Sequence, residues 1–108
     1  MAVSDAEIEF VRDLFADVGD ITTRKMFGGL GIYSGGTIFA LIGPENKIMV
    51  KARDELAAAL AEAGATQFTY DSGGHKKTQM PYWTLPDSAL DDPSEACDWA
   101  RKSLQQNG

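Results

Sequence analysis

Two glycines stand together at Gly35-Gly36, between Tyr33-Ser34 and Thr37-Ile38. The run that follows, "TIFALI" (Thr37–Ile42), is rich in β-branched and aromatic residues and reads as a strand. A two-residue loop between strands requires positive φ, which glycine adopts without steric cost. Strands joined by so short a loop must run antiparallel. This turn constrains the fold most, because it rules out a parallel sheet built on crossover helices through this part of the chain.

The same glycines belong to a denser stretch, "RKMFGGLGIYSGG", residues 24–36, in which five of thirteen residues are glycine. Such density also occurs in loops that cradle phosphates. A dinucleotide-binding fingerprint needs G-x-G-x-x-G at the end of a strand, opening a helix. Gly29-x-Gly31 supplies its first half, but Ser34 occupies the third glycine position and a strand follows, so no helix N-terminus is aimed at a phosphate. No Lys-Ser or Lys-Thr pair follows for a P-loop. Gly28-Gly29 and Gly31, before and within the first strand, are therefore expected to permit a bulge or the close approach of another element, so that the stretch is a kinked strand leading into the Gly35-Gly36 turn.

Helical signals flank this β region. Ser4 and Glu7 form an S-x-x-E capping box, and Ile8, Val11, Leu14, Phe15 and Val18 follow at helical spacing up to Gly19. Residues 47–51, "KIMVK", alternate, with Ile48 and Val50 on one face and Lys47, Met49 and Lys51 on the other. Asp54 is the expected cap of a second helix with Leu56, Leu60 and Ala63 on its apolar face and Gly64 at its end. "QFTYD" and "TQMPYWTL" read as two more strands, with Pro81 favouring a sheet edge or a bulge. Asp92-Pro93-Ser94-Glu95 is a further capping box, opening a helix lined by Ala96, Trp99, Ala100 and Leu104. The expected order is α-β-β-β-α-β-β-α in a single domain spanning residues 1–108. The fold class is α+β, a mainly antiparallel sheet with packed helices.

Composition bounds the function. The 108 residues are 44% hydrophobic, with 16 acidic and 10 basic side chains and a formal net charge of −6. An acidic chain is repelled on average by nucleic-acid phosphates. No apolar run is long enough to span a bilayer. The N-terminus, "MAVSDAEIEF", lacks a basic leader with an apolar stretch, and the lone Cys97 cannot form an internal disulfide. No membrane association and a cytoplasmic location are expected.

Catalytic candidates are sparse. His75, the only histidine, is expected at a loop tip after Gly73-Gly74, and no second His or Cys stands at metal-ligand spacing. Cys97 could act as a nucleophile with His75 as base, but no catalytic cysteine signature surrounds it, and the reading preferred is a small residue on the last helix. The carboxylates are scattered, and none pair as acid and base. No catalytic residue, cofactor or metal is expected. The basic residues Arg24, Lys25, Lys47, Lys51, Lys76 and Lys77, together with Arg53, fall on strands, strand ends or turns. They mark a candidate interaction surface, weighed against an ordinary solvated surface with lysines guarding sheet edges.

Three segments in order, "RKMFGGLGIY", "MPYW" and "WARKSL", resemble the N-terminal domain of the TfoX/Sxy family, regulators of natural competence in bacteria. The resemblance covers nearly the whole chain. It implies an α+β fold with the element order read above and no known catalytic activity. Two-domain relatives carry a second, helical domain after this one, and a chain ending at Gly108 is expected to be a stand-alone N-domain. The leading expectation is thus a non-enzymatic module acting through contacts with a protein partner, in transcriptional or competence regulation, with a homodimer left open. Direct nucleic-acid binding through the basic strand residues is the alternative, though direct DNA binding is not expected. A small-molecule site walled by Tyr33, Tyr70, Tyr82 and Trp83 is the third.

Overall fold

The computed structural model describes residues 4–26, 29–43, 46–71 and 77–107. The first capping box is closed from both sides. Glu7 N donates to Ser4 Oγ at 3.2 Å, and Ser4 N donates to Glu7 Oε1 at 3.0 Å. Helix α1 (Asp5–Leu14) follows and buries Val11 and Leu14. It does not continue to Val18 as the spacing suggested. A 3-10 turn, Ala16–Val18, takes over, and Gly19 ends it at φ +91°. In a 3-10 turn residues three apart eclipse, so Phe15 and Val18 stay on the core side and the apolar spacing cannot distinguish the two helix types.

Among the described residues, β1 (Ile21–Met26), β2 (Gly29–Ser34), β3 (Thr37–Ile42), β4 (Ile48–Lys51), β5 (Gln67–Asp71) and β6 (Lys77–Thr84) form one sheet in the order β1-β2-β3-β4-β6-β5, antiparallel throughout. The one kinked strand expected ahead of the Gly35-Gly36 turn is instead two. β1 (Ile21–Met26) and β2 (Gly29–Ser34) pair from Ile21↔Ser34 to Met26↔Gly29. Phe27 and Gly28, which lie between the two, are outside the described residues. The next turn is as expected: Ser34 pairs with Thr37, and Gly35 and Gly36 adopt φ +56° and +85°. This hairpin is also tied down, because Ser34 Oγ donates to Gly19 O at 2.7 Å and Gly35 N to Asp20 O at 3.2 Å.

β3 (Thr37–Ile42) carries a bulge. Ile32 faces Ala40 while Tyr33 faces Ile38, leaving Phe39 as an extra residue. A bulge of this kind breaks the alternation, and both Phe39 and Ala40 reach zero exposure in the same core. Leu30, Ile32, Ile42 and Val50 share that face, and α1 and the last helix cover it. Strand β4 (Ile48–Lys51) confirms Ile48 and Val50 as core-facing, but Met49 on the opposite face is also buried. Gly43 lies beside it: a Cβ there would meet Met49 Cε, the flexible end of that side chain.

Helix α2 (Asp54–Glu62) is not capped by Asp54. Its N-cap is Arg53, with no side-chain cap bond, and Asp54 adopts φ +54°. The junction is held from across the molecule, since Gln106 Nε2 donates to Arg53 O at 2.8 Å and Arg53 N to Gln106 Oε1 at 3.2 Å. Leu56 and Leu60 pack with Ala52, Trp83 and Trp99 as a second small core. β5 (Gln67–Asp71) and β6 (Lys77–Thr84) form the last hairpin, whose register shifts between Gln67 and Thr69. Pro81 lies opposite that shift, in a bulge on an inner strand rather than at a sheet edge.

A one-turn helix α3 (Asp87–Leu90), too short to show a periodicity, precedes α4 (Pro93–Asn107). Asp92 Oδ1 accepts from Ser94 N at 3.0 Å, as its capping role required. Glu95 does not close the box; its carboxylate accepts from Ser88 Oγ at 2.8 Å and Trp99 Nε1 at 3.4 Å. Ala96 and Ala100 are fully buried, Trp99 and Leu104 pack at the core's margin, and Ser103 reaches the carbonyls of Phe39 and Lys51.

Candidate interaction site

The sheet separates two surfaces. Because Val50 faces the helices, Lys51 lies on the other side, and Arg24, paired with Gly31, lies on that same side. Lys25, paired with the core residue Leu30, lies on the helix-bearing side at the edge strand. Lys47 precedes β4 at the end of the sheet. Lys76 is outside the described residues, and only the backbone of Lys77 is described, in β6. The seven basic positions named from the sequence are thus distributed: Arg24 and Lys51 share one face, Lys25 and Lys47 do not join them, and Arg53 is the N-cap of the second helix.

The aromatic set also divides. Tyr82, paired with Lys51, shares the outer face with Tyr33. The two interact: burial raises the Tyr82 hydroxyl pKa above its ordinary value, and the nearby Tyr33 raises it further. Trp83 alternates to the opposite side and packs into the small core under α2. The side chain of Tyr70 lies outside the described residues. Cys97 is 1% exposed, and its Sγ contacts Leu14 O at 3.4 Å. A thiol so enclosed meets no substrate from solvent. His75 lies outside the described residues. Among the described residues, no three His, Cys, Asp or Glu side chains come together as metal ligands, and no helix is long and apolar enough to cross a membrane.

A concave feature lies elsewhere. An open cleft of about 630 Å³ runs between α1, α3 and the end of the sheet where β3, β4 and β6 meet the loops. Phe10, Val11, Ile42, Ile48, Leu85 and Leu90 supply its apolar lining. Glu7, Asp87 and Asp91 are its carboxylates, and Lys47 is its cation. The floor is fixed by backbone bonds between elements: Leu85 N to Ile48 O, Thr84 N to Thr66 O, and Gly43 N to Lys47 O, each 2.9 Å. Thr84 Oγ1 additionally accepts from Thr66 N at 2.9 Å.

Sequence reasoning did not find this cleft. It is assembled from four separated segments, which no local pattern brings together. One signal was present. Phe10 is an apolar residue off the stripe formed by Ile8, Val11, Leu14 and Phe15, and it stays 47% exposed. Large apolar residues left facing water beside a groove are what docking surfaces are made of.

Comparison with known proteins adds the family. A family model described as TfoX N-terminal domain matches residues 13–107, nearly the whole chain; it is not a known enzyme family. No curated protein matches the chain. Most of the cleft lies within the matched residues, while the wall formed by Ala6, Glu7, Phe10 and Val11 precedes them.

Proposed function

Since the chain belongs to the TfoX N-terminal domain family, we propose that it is a non-enzymatic regulatory module, serving competence or transcription, that works by contacting another protein. Family membership is the observation that carries this reading. The enclosure of Cys97 and the separation of Lys25 and Lys47 from Arg24 and Lys51 are in keeping with it. So is the net charge of −6, which opposes approach to a nucleic acid at long range.

The nucleic-acid alternative rests on one specific feature, Arg24 and Lys51 on a shared sheet face with Tyr33. Salt screens charges beyond about 8 Å under physiological conditions, so a local patch can act despite the overall charge. Two measurements decide between the readings. Tagged protein is used to capture partners from a lysate of its own organism, and a labelled DNA duplex is titrated by fluorescence anisotropy at low and physiological salt. The protein-contact reading expects a partner recovered in near-stoichiometric amount and duplex binding that vanishes at physiological salt. Micromolar duplex binding that survives physiological salt, and is lost in Arg24→Glu/Lys51→Glu, would overturn it.

A further inference from the structure

The cleft between α1, α3 and the end of the sheet gives the protein-contact reading a location and a chemistry. Resting on that reading, we infer that this cleft receives an amphipathic segment of the partner protein, one that sets an apolar anchor beside basic residues. The recognition mode is that of a helix laid in a groove, where apolar side chains provide the anchor and charge sets the choice of partner.

Three features of the cleft select this occupant. Phe10 is the first. At 47% exposure it is the large hydrophobic residue left most open among the described residues, and it stands at the cleft wall rather than on an unrelated surface. Charge is the second. Among the described residues, Glu7, Asp87 and Asp91 face one cation, Lys47, so the rim is negative and suits lysine or arginine. One oxygen of Glu7 is held by the Ser4 cap, which fixes that carboxylate in place before any partner arrives. Rigidity is the third. Strand-to-loop hydrogen bonds fix the floor, so little ordering is lost when the groove fills.

The same features exclude the competing occupants. A nucleic acid would bring phosphates to three carboxylates. A second copy of this chain would bring an identical acidic rim against the first, since a two-fold interface sets each patch against itself. A small molecule would fit by volume, but ligand sites enclose most of their ligand and this cleft is open to solvent.

The probe is a labelled amphipathic helical peptide of leucine and lysine, titrated by anisotropy against the full chain. Its controls are the leucine–glutamate counterpart and a serine–lysine peptide of equal charge. Expected are saturable binding of the leucine–lysine peptide alone and backbone-amide resonance shifts centred on residues 6–11, 46–48 and 85–91. Phe10→Ala should weaken binding about tenfold, the scale of an anchor residue, and Asp87→Lys/Asp91→Lys by a similar factor. Thr22→Ala, on the other side of the sheet, should leave it unchanged. Because Phe10 and both aspartates lie outside the buried core, thermal melts of these variants should match the parent and exclude unfolding as the cause.

Several results would overturn the assignment. They are no saturable binding, equal binding of the serine–lysine peptide, resonance shifts away from the cleft, or self-association that Phe10→Ala abolishes. A captured partner retained equally by Phe10→Ala would remove this site while leaving the protein-contact reading intact. Failure of both peptide binding and partner capture would remove both.

Discussion

The ring of Phe15 meets the ring of Phe39 edge to face, with centroids 5.1 Å apart and planes at 85°. One residue ends α1 and the other is the extra residue of the β3 bulge, so this contact joins the helical layer to the sheet where the strand departs from regularity. Both side chains are fully buried. Phe39→Ala should cost about 3–5 kcal/mol, the usual range for emptying an aromatic site. A double-mutant cycle with Phe15→Leu and Phe39→Leu should return a coupling of about 0.5–1.5 kcal/mol. Urea unfolding of the four proteins checks it; strictly additive losses would mean the ring geometry contributes nothing beyond burial.

Gly35 and Gly36 both hold positive φ in the β2–β3 loop. Replacing either with valine forces a β-branched residue into that region, at a cost of about 1–3 kcal/mol. Gly35→Asn should be nearly neutral, because asparagine tolerates the left-handed region at this position of a two-residue hairpin. Thermal melts of the three variants should rank Asn far above the two valines.

Tyr82 sets an expectation for alkaline stability. Its folded pKa is raised, first by burial and then by Tyr33. Between the unfolded value near 10 and the higher folded value, the native state keeps a proton that the unfolded chain has lost. Stability from this group is therefore whole below pH 10 and declines as pH rises through the folded value. Tyr82→Phe should flatten the alkaline limb of a stability–pH profile, and absorbance near 295 nm should show one phenol fewer titrating late. Identical limbs in both proteins would refute the linkage.

Cys97 should be silent toward thiol reagents in the native protein and reactive once denaturant is added. The reason is its 1% exposure and its contact with Leu14 O. Cys97→Ser should leave partner binding unchanged at a cost of about 1 kcal/mol, the scale of a small repacking loss. Ellman's reagent and urea titration test the two halves separately.

Loss of the α4 cap offers a local counterpart. Asp92→Ala leaves Ser94 N without its side-chain acceptor and should cost about 1 kcal/mol. Glu95→Ala should act differently, because Glu95 bonds Ser88 and Trp99 rather than the cap backbone. Its effect should appear in the fluorescence of Trp99 as well as in stability.

How much of this was legible in the sequence follows from the range of each interaction. The Ser4–Glu7 box, the Gly35-Gly36 turn and the Asp92 cap are set by residues within four positions of one another, and each is where the residues implied. Features depending on partners far along the chain were not legible. Asp54 looked like a cap, but Gln106, over fifty residues away, organises that junction. The alternation groups Met49 with Lys47 and Lys51 on one face of its strand, and its burial follows only once Gly43 is placed beside it. The cleft needed four segments in register, and only Phe10, out of step with its helix, hinted at it. The basic strand residues were legible as a set but not as a surface. Neighbours in sequence on a strand point to opposite faces, which is how Arg24 and Lys25 part company.

The extra residue in β3 also bears on how this chain can change length. A strand normally cannot lose one residue, since every side chain beyond the gap would turn to the wrong face. Here Ile38 already pairs with Tyr33 and Ala40 with Ile32. Excising Phe39 would close the bulge into a regular ladder and reverse no neighbour. The strand thus tolerates a one-codon deletion in its topology while losing its aromatic contact with Phe15, so related chains that differ by a single residue here can share one register on either side of it.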